Sequence, residues 1–109
     1  MKRRWLRTQR GLADSTSIIT SAKVLEGSPV ALVAHLHNGS WQFLDADDKG
    51  SDDMRVVHFV HVLERESKLN QFRKLRAGEV RVMATNGQWV ALSFGSDDEF
   101  DAWCDSLGD

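Results

Sequence analysis

Disulfide chemistry is the first thing this sequence lacks, because its single cysteine, Cys104, has no partner within the chain. A lone thiol suits a reducing compartment better than a secreted, disulfide-stapled scaffold. Long apolar runs are missing too. The longest, Val30 to Ala34, is strand-sized against the ~18 residues that a membrane helix requires. The start, Met1 to Arg7, carries basic charge with no hydrophobic region behind it, so a secretory signal is not expected and a cytoplasmic location is. No Gly-rich phosphate loop and no G-x-S-x-G turn occurs, which removes the commonest nucleotide-binding and serine-hydrolase signatures. Proline is found once, at Pro29, and tyrosine nowhere.

What remains is an ordinary globular composition, 41% hydrophobic and 28% charged over 109 residues. That length makes one domain, able to bury about two thirds of its unfolded surface. The net charge of −2 conceals segregation. Residues 1–10 hold five bases (Lys2, Arg3, Arg4, Arg7, Arg10) and no acid, whereas residues 97–109 hold six acids and no base. A second basic block runs from Arg65 to Arg81. Such separation bears on partners more than on fold.

Residues 1–15 show no sustained period and read as a basic N-terminal arm, either mobile or an edge addition, leaving 16–109 as the domain. Ile18 to Leu25 has the β-branched content of a first strand. Pro29 fixes the approach to a second, in which Val30, Leu32, Ala34 and Leu36 alternate with Ala31, Val33, His35 and His37. The first set is expected to face the core and the second to face solvent. Asn38-Gly39-Ser40 turns the chain into a third strand, Trp41 to Leu44. Residues 45–53 then read as an acidic loop with five aspartates, Asp45, Asp47, Asp48, Asp52 and Asp53.

Met54 to Leu63 fits both periods, and the reading divides it into a strand through Val57 and a helix from Phe59. Ser67 is expected to cap a further helical turn whose buried side is Leu69, Phe72 and Leu75, ending near Gly78. Glu79 to Phe94 is a hairpin. A three-residue loop, Thr85-Asn86-Gly87 with Gly87 left-handed, pairs Val82 with Val90 and Val80 with Leu92 and puts both apolar rows on one face. The final helix carries Ser96 and Glu99 as a capping box, a Phe100/Trp103/Cys104/Leu107 stripe, and Gly108 as terminator. These elements predict an α+β single domain with a largely antiparallel β-sheet packed by short mid-chain helices and a C-terminal helix. Trp41, Phe100, Trp103, Val82, Leu92 and Leu32 are expected to share one core.

Four histidines, His35, His37, His58 and His61, have the spacing of paired ligands. No cysteine or carboxylate stands beside them at structural-zinc spacing, so no metal and no cofactor is expected. Cys104 lies on an apolar stripe, where a thiol acts as a small hydrophobe. The aspartates sit in a loop and a helix start, contexts of solvated charge rather than of acid/base pairs. No enzyme activity is expected. Arg3, Arg4, Arg7 and Arg10 with Trp5 could hold phosphate and stack a base, and Lys68, Arg73, Lys74 and Arg76 could widen that footprint. The overall balance is nevertheless acidic, and nucleic acid is the second choice. Asp98, Asp101 and Asp105 form a negative line on the outer side of the last helix, suited to steering a basic partner. Trp89, on the hairpin face opposite Val82 and Val90, is the candidate apolar anchor.

In order, Val24-Leu25-Glu26-Gly27, Ser40-Trp41-Gln42-Phe43 with its acidic loop, Val57 to Glu66, Gly78 and Asn86-Gly87-Gln88-Trp89 resemble the bacterial family called immunity protein 33, also domain of unknown function 2185. The likeness covers roughly residues 17–94, with Ser67 where the family carries Pro and Val57 where it tends to carry Tyr. The resemblance implies a cytoplasmic, non-catalytic protein of a polymorphic toxin system, monomeric or weakly dimeric, that binds and neutralises a toxin domain.

Overall fold

The computed structural model describes residues 12–46 and 53–107. Six strands form one sheet: β1 Ser17–Ser21, β2 Leu32–His35, β3 Trp41–Leu44, β4 Met54–His58, β5 Glu79–Met83 and β6 Trp89–Ser93. Their spatial order is β4-β1-β3-β2-β5-β6. Only β1 and β3 run parallel among these neighbours; the other pairings are antiparallel. Helices α1 (Ala22–Leu25), α2 (Phe59–Leu63) and α3 (Asp97–Leu107), with a 3-10 helix over Ser67–Phe72, complete the α+β domain.

The first strand is shorter than β-propensity alone suggests. Ser21 accepts the Val24 N–H through its hydroxyl, which caps a single helical turn, and the Ala22 N–H donates to the Asp53 carbonyl. A local cap thus diverts Ala22 to Leu25 from the sheet although Val24 is β-branched. The division of Met54 to Leu63 falls where it is expected, between His58 and Phe59. The 3-10 helix does bury Leu69 and Phe72, with Leu75 just beyond it, but Ser67 is not its cap. Glu66 occupies that position and makes no side-chain capping bond.

The late hairpin has the expected register, Val82 opposite Val90 and Val80 opposite Leu92. Ala84 N–H donates to the Gln88 carbonyl, closing the loop over residues 85–87, and Gly87 takes φ +85°. At α3 the Ser96 hydroxyl accepts the Glu99 N–H, while the Glu99 carboxylate reaches back to Gly95 N–H rather than to that of Ser96. The proposed terminator Gly108 lies outside the described residues.

The core differs most from expectation. Every residue of β2 is buried, Val33 and Ala34 completely, because the strand is internal and both sheet faces are covered. On one face Val33, Trp41 and Phe43 pack with Leu12, Phe59, Val62, Leu69, Phe72 and Leu75. On the other, Leu32, Ala34, Leu36, Leu44 and Val80 pack with Phe100, joined by Trp103 and Cys104 at the edge. Trp41 and Phe100 therefore belong to different clusters, and Trp103 is only half-buried. Val30, outside the strand, joins the Val33 side rather than the Leu32 side.

The boundary of the body also shifts. Leu12 is 3% exposed and its N–H donates to the Arg73 carbonyl. Arg73 returns a bond to the Leu12 carbonyl, pairs with Asp14 at 2.6 Å and lies 5.0 Å over the Phe59 ring. The N–H groups of Phe59 and Val60, at the start of α2, donate to the carbonyls of Thr16 and Asp14. Residues 12–15 are thus structural, since they satisfy donors that a helix start leaves open. Residues 1–11, with the arginines and Trp5, lie outside the described residues.

Gly78 holds two segments at close quarters. Its N–H donates to the His35 carbonyl and its own carbonyl accepts from Phe94 N–H. It takes φ +91°, and a Cβ there would stand 2.6 Å from both His37 Nε2 and the Phe94 carbonyl. Gly78→Ala combines a left-handed backbone with overpacking and should cost about 2–4 kcal/mol in chemical denaturation. A loss below about 1 kcal/mol would mean that this junction relaxes freely. Trp41→Ala, at a side chain 2% exposed, should cost about 3–5 kcal/mol and more than Trp103→Ala. The reverse order would place the weight of the fold on α3.

Candidate functional site

The histidines are engaged by the fold. His35 is 7% exposed, stacks on the Trp41 ring at 3.9 Å and donates from Nδ1 to the Leu75 carbonyl at 2.8 Å. It is a core residue, not a solvent-facing one. His37 is exposed and donates from Nε2 to the Phe94 carbonyl at 2.8 Å. His58 and His61 stack on the surface with ring centres 6.1 Å apart. Among the described residues no three His, Cys, Asp or Glu side chains converge as a metal-ligand set.

The acidic loop is represented by its two ends, since Asp47, Asp48 and Asp52 lie outside the described residues. Asp45 is 5% exposed and accepts the Ser21 hydroxyl at 2.7 Å, so it belongs to the fold rather than to a solvated surface. Asp53 is exposed and pairs with Arg55 at 2.6 Å, a screened surface contact. Asp98, Asp101 and Asp105 are all exposed on α3, as its apolar stripe requires. Their neighbour Asp97 has a structural role that the sequence did not disclose. Its two carboxylate oxygens accept the N–H groups of His37 and Asn38 at 2.7 and 3.0 Å, tying the β2–β3 turn to the start of α3.

Trp89 is half-buried and meets the Phe72 ring edge-on at 4.9 Å. It joins the Val33/Phe43 cluster, whereas α3 packs on the opposite sheet face. Apart from Asp53, the described partner-binding residues thus divide into two groups. Asp45 and Trp89 line one cleft of about 640 Å³. Asp98, Asp101 and Asp105 lie on the other side of the sheet.

Four segments build that cleft: Ser28 to Ala31 before β2, Asp45 and Ala46 after β3, the Glu66–Gln71 stretch, and the hairpin through Met83, Gly87 and Trp89. Glu66 is fixed there because its Oε1 accepts the Val30 N–H at 2.6 Å. Glu66, Lys68, Gln71 and Met83 were not singled out from the sequence as one group. Only the packing of the 3-10 helix beside the hairpin brings them together.

Comparison of this chain with protein-family models, with curated proteins and with solved structures finds no match. No described helix is long and apolar enough to cross a membrane.

Cys104 shows how α3 treats its one nucleophile. Burial against the Leu32/Val80 cluster, with the charges of Asp101 and Asp105 added, pushes its thiol from an ordinary value of 9.0 up to about 11. The thiolate fraction at pH 8 is correspondingly low, and alkylation by iodoacetamide should be much slower than for an unfolded control. A raised thiol pKa makes the folded state hold its proton longer. Its stabilising effect is complete below about pH 9 and is lost as pH rises toward about 11. Cys104→Ala should therefore flatten the alkaline limb of the stability profile, and an unchanged limb would assign it to other groups. Asp45→Ala should lower stability by about 1–3 kcal/mol, because the buried Ser21 hydroxyl loses its acceptor. A variant of wild-type stability would return Asp45 to the surface.

Proposed function

We propose that this is a non-catalytic partner-binding protein, a bacterial immunity protein that binds and neutralises a toxin domain in the cytoplasm through an acidic surface. The observation that carries the reading is the exposed line Asp98, Asp101 and Asp105 on a helix with no base in its last turn. Asp98 near the helix start is favoured by the helix dipole, but Asp105 at the far end opposes it. Local helix stability therefore does not account for the whole line, whereas attraction of a basic partner does. The likeness to the immunity protein 33 pattern supports the same reading.

Toxin domains that attack nucleic acid present basic clefts, and a row of carboxylates on a rigid helix can occupy one as a phosphate mimic. Charge of this kind acts chiefly on the association rate and is weakened by salt. It implies a protein partner rather than a nucleic acid, whose phosphates the same line would repel.

Co-expression with the product of a neighbouring toxin-like reading frame tests this. Asp98→Asn, Asp101→Asn and Asp105→Asn together should slow association by about tenfold or more at low salt and flatten its salt dependence, with folding preserved. An unchanged rate would remove α3 from the contact surface. Sub-micromolar binding to DNA or RNA at physiological salt would replace the reading with that of a nucleic-acid-binding module. Tests of the Asp45–Asp53 loop should leave Asp45 in place, because its replacement perturbs the fold as well as the surface.

A further inference from the structure

The two edges of the sheet differ in what they leave open. Val56 on β4 is 72% exposed and Val90 on β6 is 45% exposed, and these are the large apolar side chains most open to solvent among the described residues. Among the described residues no strand pairs with the outer side of β4. The bonds that flank its ladder with β1 fix the direction of its backbone groups. The Asp53 carbonyl accepts the Ala22 N–H, and the Phe59 N–H donates to the Thr16 carbonyl. Antiparallel pairs alternate, so Arg55 and Val57 also turn their backbone groups toward β1, while Met54, Val56 and His58 turn theirs outward. Neither a proline nor a bulge blunts this edge, and its one arginine folds back on Asp53. Side chains alternate as well: Met54 packs on the α3 side of the sheet and Val57 on the other. Val56 therefore stands on the α3 side, next to the half-buried Ile19 of β1.

From this arrangement we infer that β4 pairs edge to edge with β4 of a second copy of this chain, antiparallel, about a two-fold axis at Val56. Val56 then exchanges both main-chain bonds with its counterpart, and each His58 N–H donates to the other copy's Met54 carbonyl. The His58 carbonyl takes no part because, at the N-cap of α2, it opens that helix's own ladder. The Val56 side chains meet at the axis and join the Ile19 side chains of the two copies into one apolar row. Neighbouring registers fail. An axis at Arg55 opposes two guanidinium groups, and one at Val57 runs Met54 against Val60, whose N–H is already bonded to the Asp14 carbonyl. Charge selects this edge over β6. Helix α3 reaches the β6 end of the sheet through Phe94, which meets Phe100 and Trp103, and its charges are all acidic. Pairing at β6 would crowd two such helices, whereas pairing at β4 keeps them at opposite ends. A second copy is the occupant because the edge is its own complement under a two-fold, supplying donor, acceptor and apolar cover to both sides. The axis is perpendicular to the sheet, so both acidic lines fall on one side of the doubled sheet. A five-residue strand buries less than the roughly 1,200–2,000 Å² of a stable interface, which makes the association weak and concentration-dependent. It stands independently of the toxin-binding reading.

Untagged protein is followed by sedimentation equilibrium and by NMR from about 20 μM to about 2 mM. The average mass should rise toward that of a dimer and no further. The amide resonances of Val56 and His58 should move with concentration, while those of Ala91 and Ser93 on β6 stay fixed. In a mixture of isotope-labelled and unlabelled chains, a filtered NOE should connect the Arg55 and Val57 Hα atoms of different copies. That pair is the non-hydrogen-bonded one in this register, with the closer Cα atoms. Val56→Lys, at an open position outside the core, sets two cations at the axis and should weaken association by at least about tenfold. Val90→Lys should leave association unchanged. A mass that stays monomeric to about 2 mM, growth past the dimer, or association lost in Val90→Lys and kept in Val56→Lys would overturn the inference. Hα contacts between the two copies of Arg55, or between the two copies of Val57, would overturn the register.

Discussion

Burial of β2 and β3 on both faces is the constraint on which the rest of this domain depends. Apart from the half-exposed Gln42, these four-residue central strands expose neither row of side chains, and the polar groups buried in them and in the adjacent β1 require internal partners. Thr20 donates to the Phe43 carbonyl, His35 to the Leu75 carbonyl, and Ser21 to Asp45. Each bond links the sheet to something outside its own ladder or to a neighbouring strand's end. His35 is the most consequential. It fills the Trp41 face as an aromatic and ties β2 to the segment after the 3-10 helix as a donor. Gly78 then binds the backbone of the same residue, so one strand end organises the passage into β5.

Covering two faces requires helices from two parts of the chain. The Val33/Phe43 face is closed by α2, the 3-10 helix and residues 12–16, and Arg73 joins those pieces through backbone, carboxylate and aromatic contacts. The Leu32/Val80 face is closed by α3, which Asp97 fastens to the β2–β3 turn. Charge follows this division. The charges on the outer surface of α3 are all negative, whereas the opposite side holds a cleft lined by Asp45, Glu66 and the exposed Lys68.

Elements whose specification is local were legible in the sequence. The strand-to-helix change at Phe59, the hairpin register around Asn86-Gly87 and the capped final helix each follow from turn chemistry or from a periodicity confined to about ten residues. Where a local bond competes with propensity the reading failed, as at Ser21, whose hydroxyl turns Ala22 to Leu25 into a helical turn. Alternation along residues 30–37 was also misleading. It marks two faces correctly for Leu32 to His35, but it cannot say that both are covered.

The sequence by itself determined the α+β class, the order of most elements, the pairing of β5 with β6 and the exposure of the Asp98/Asp101/Asp105 line. Those properties depend on residues close together in the chain. Tertiary structure alone decided that Trp41 and Phe100 occupy separate clusters, that Asp45 is a buried acceptor and that Leu12 belongs to the core. It also decided that Glu66, Lys68 and Trp89 share a cleft that the acids of α3 do not reach. The reason is physical: which side of a two-faced sheet a distant helix covers is set by the fit of whole surfaces, and no spacing of residues within one segment encodes that choice.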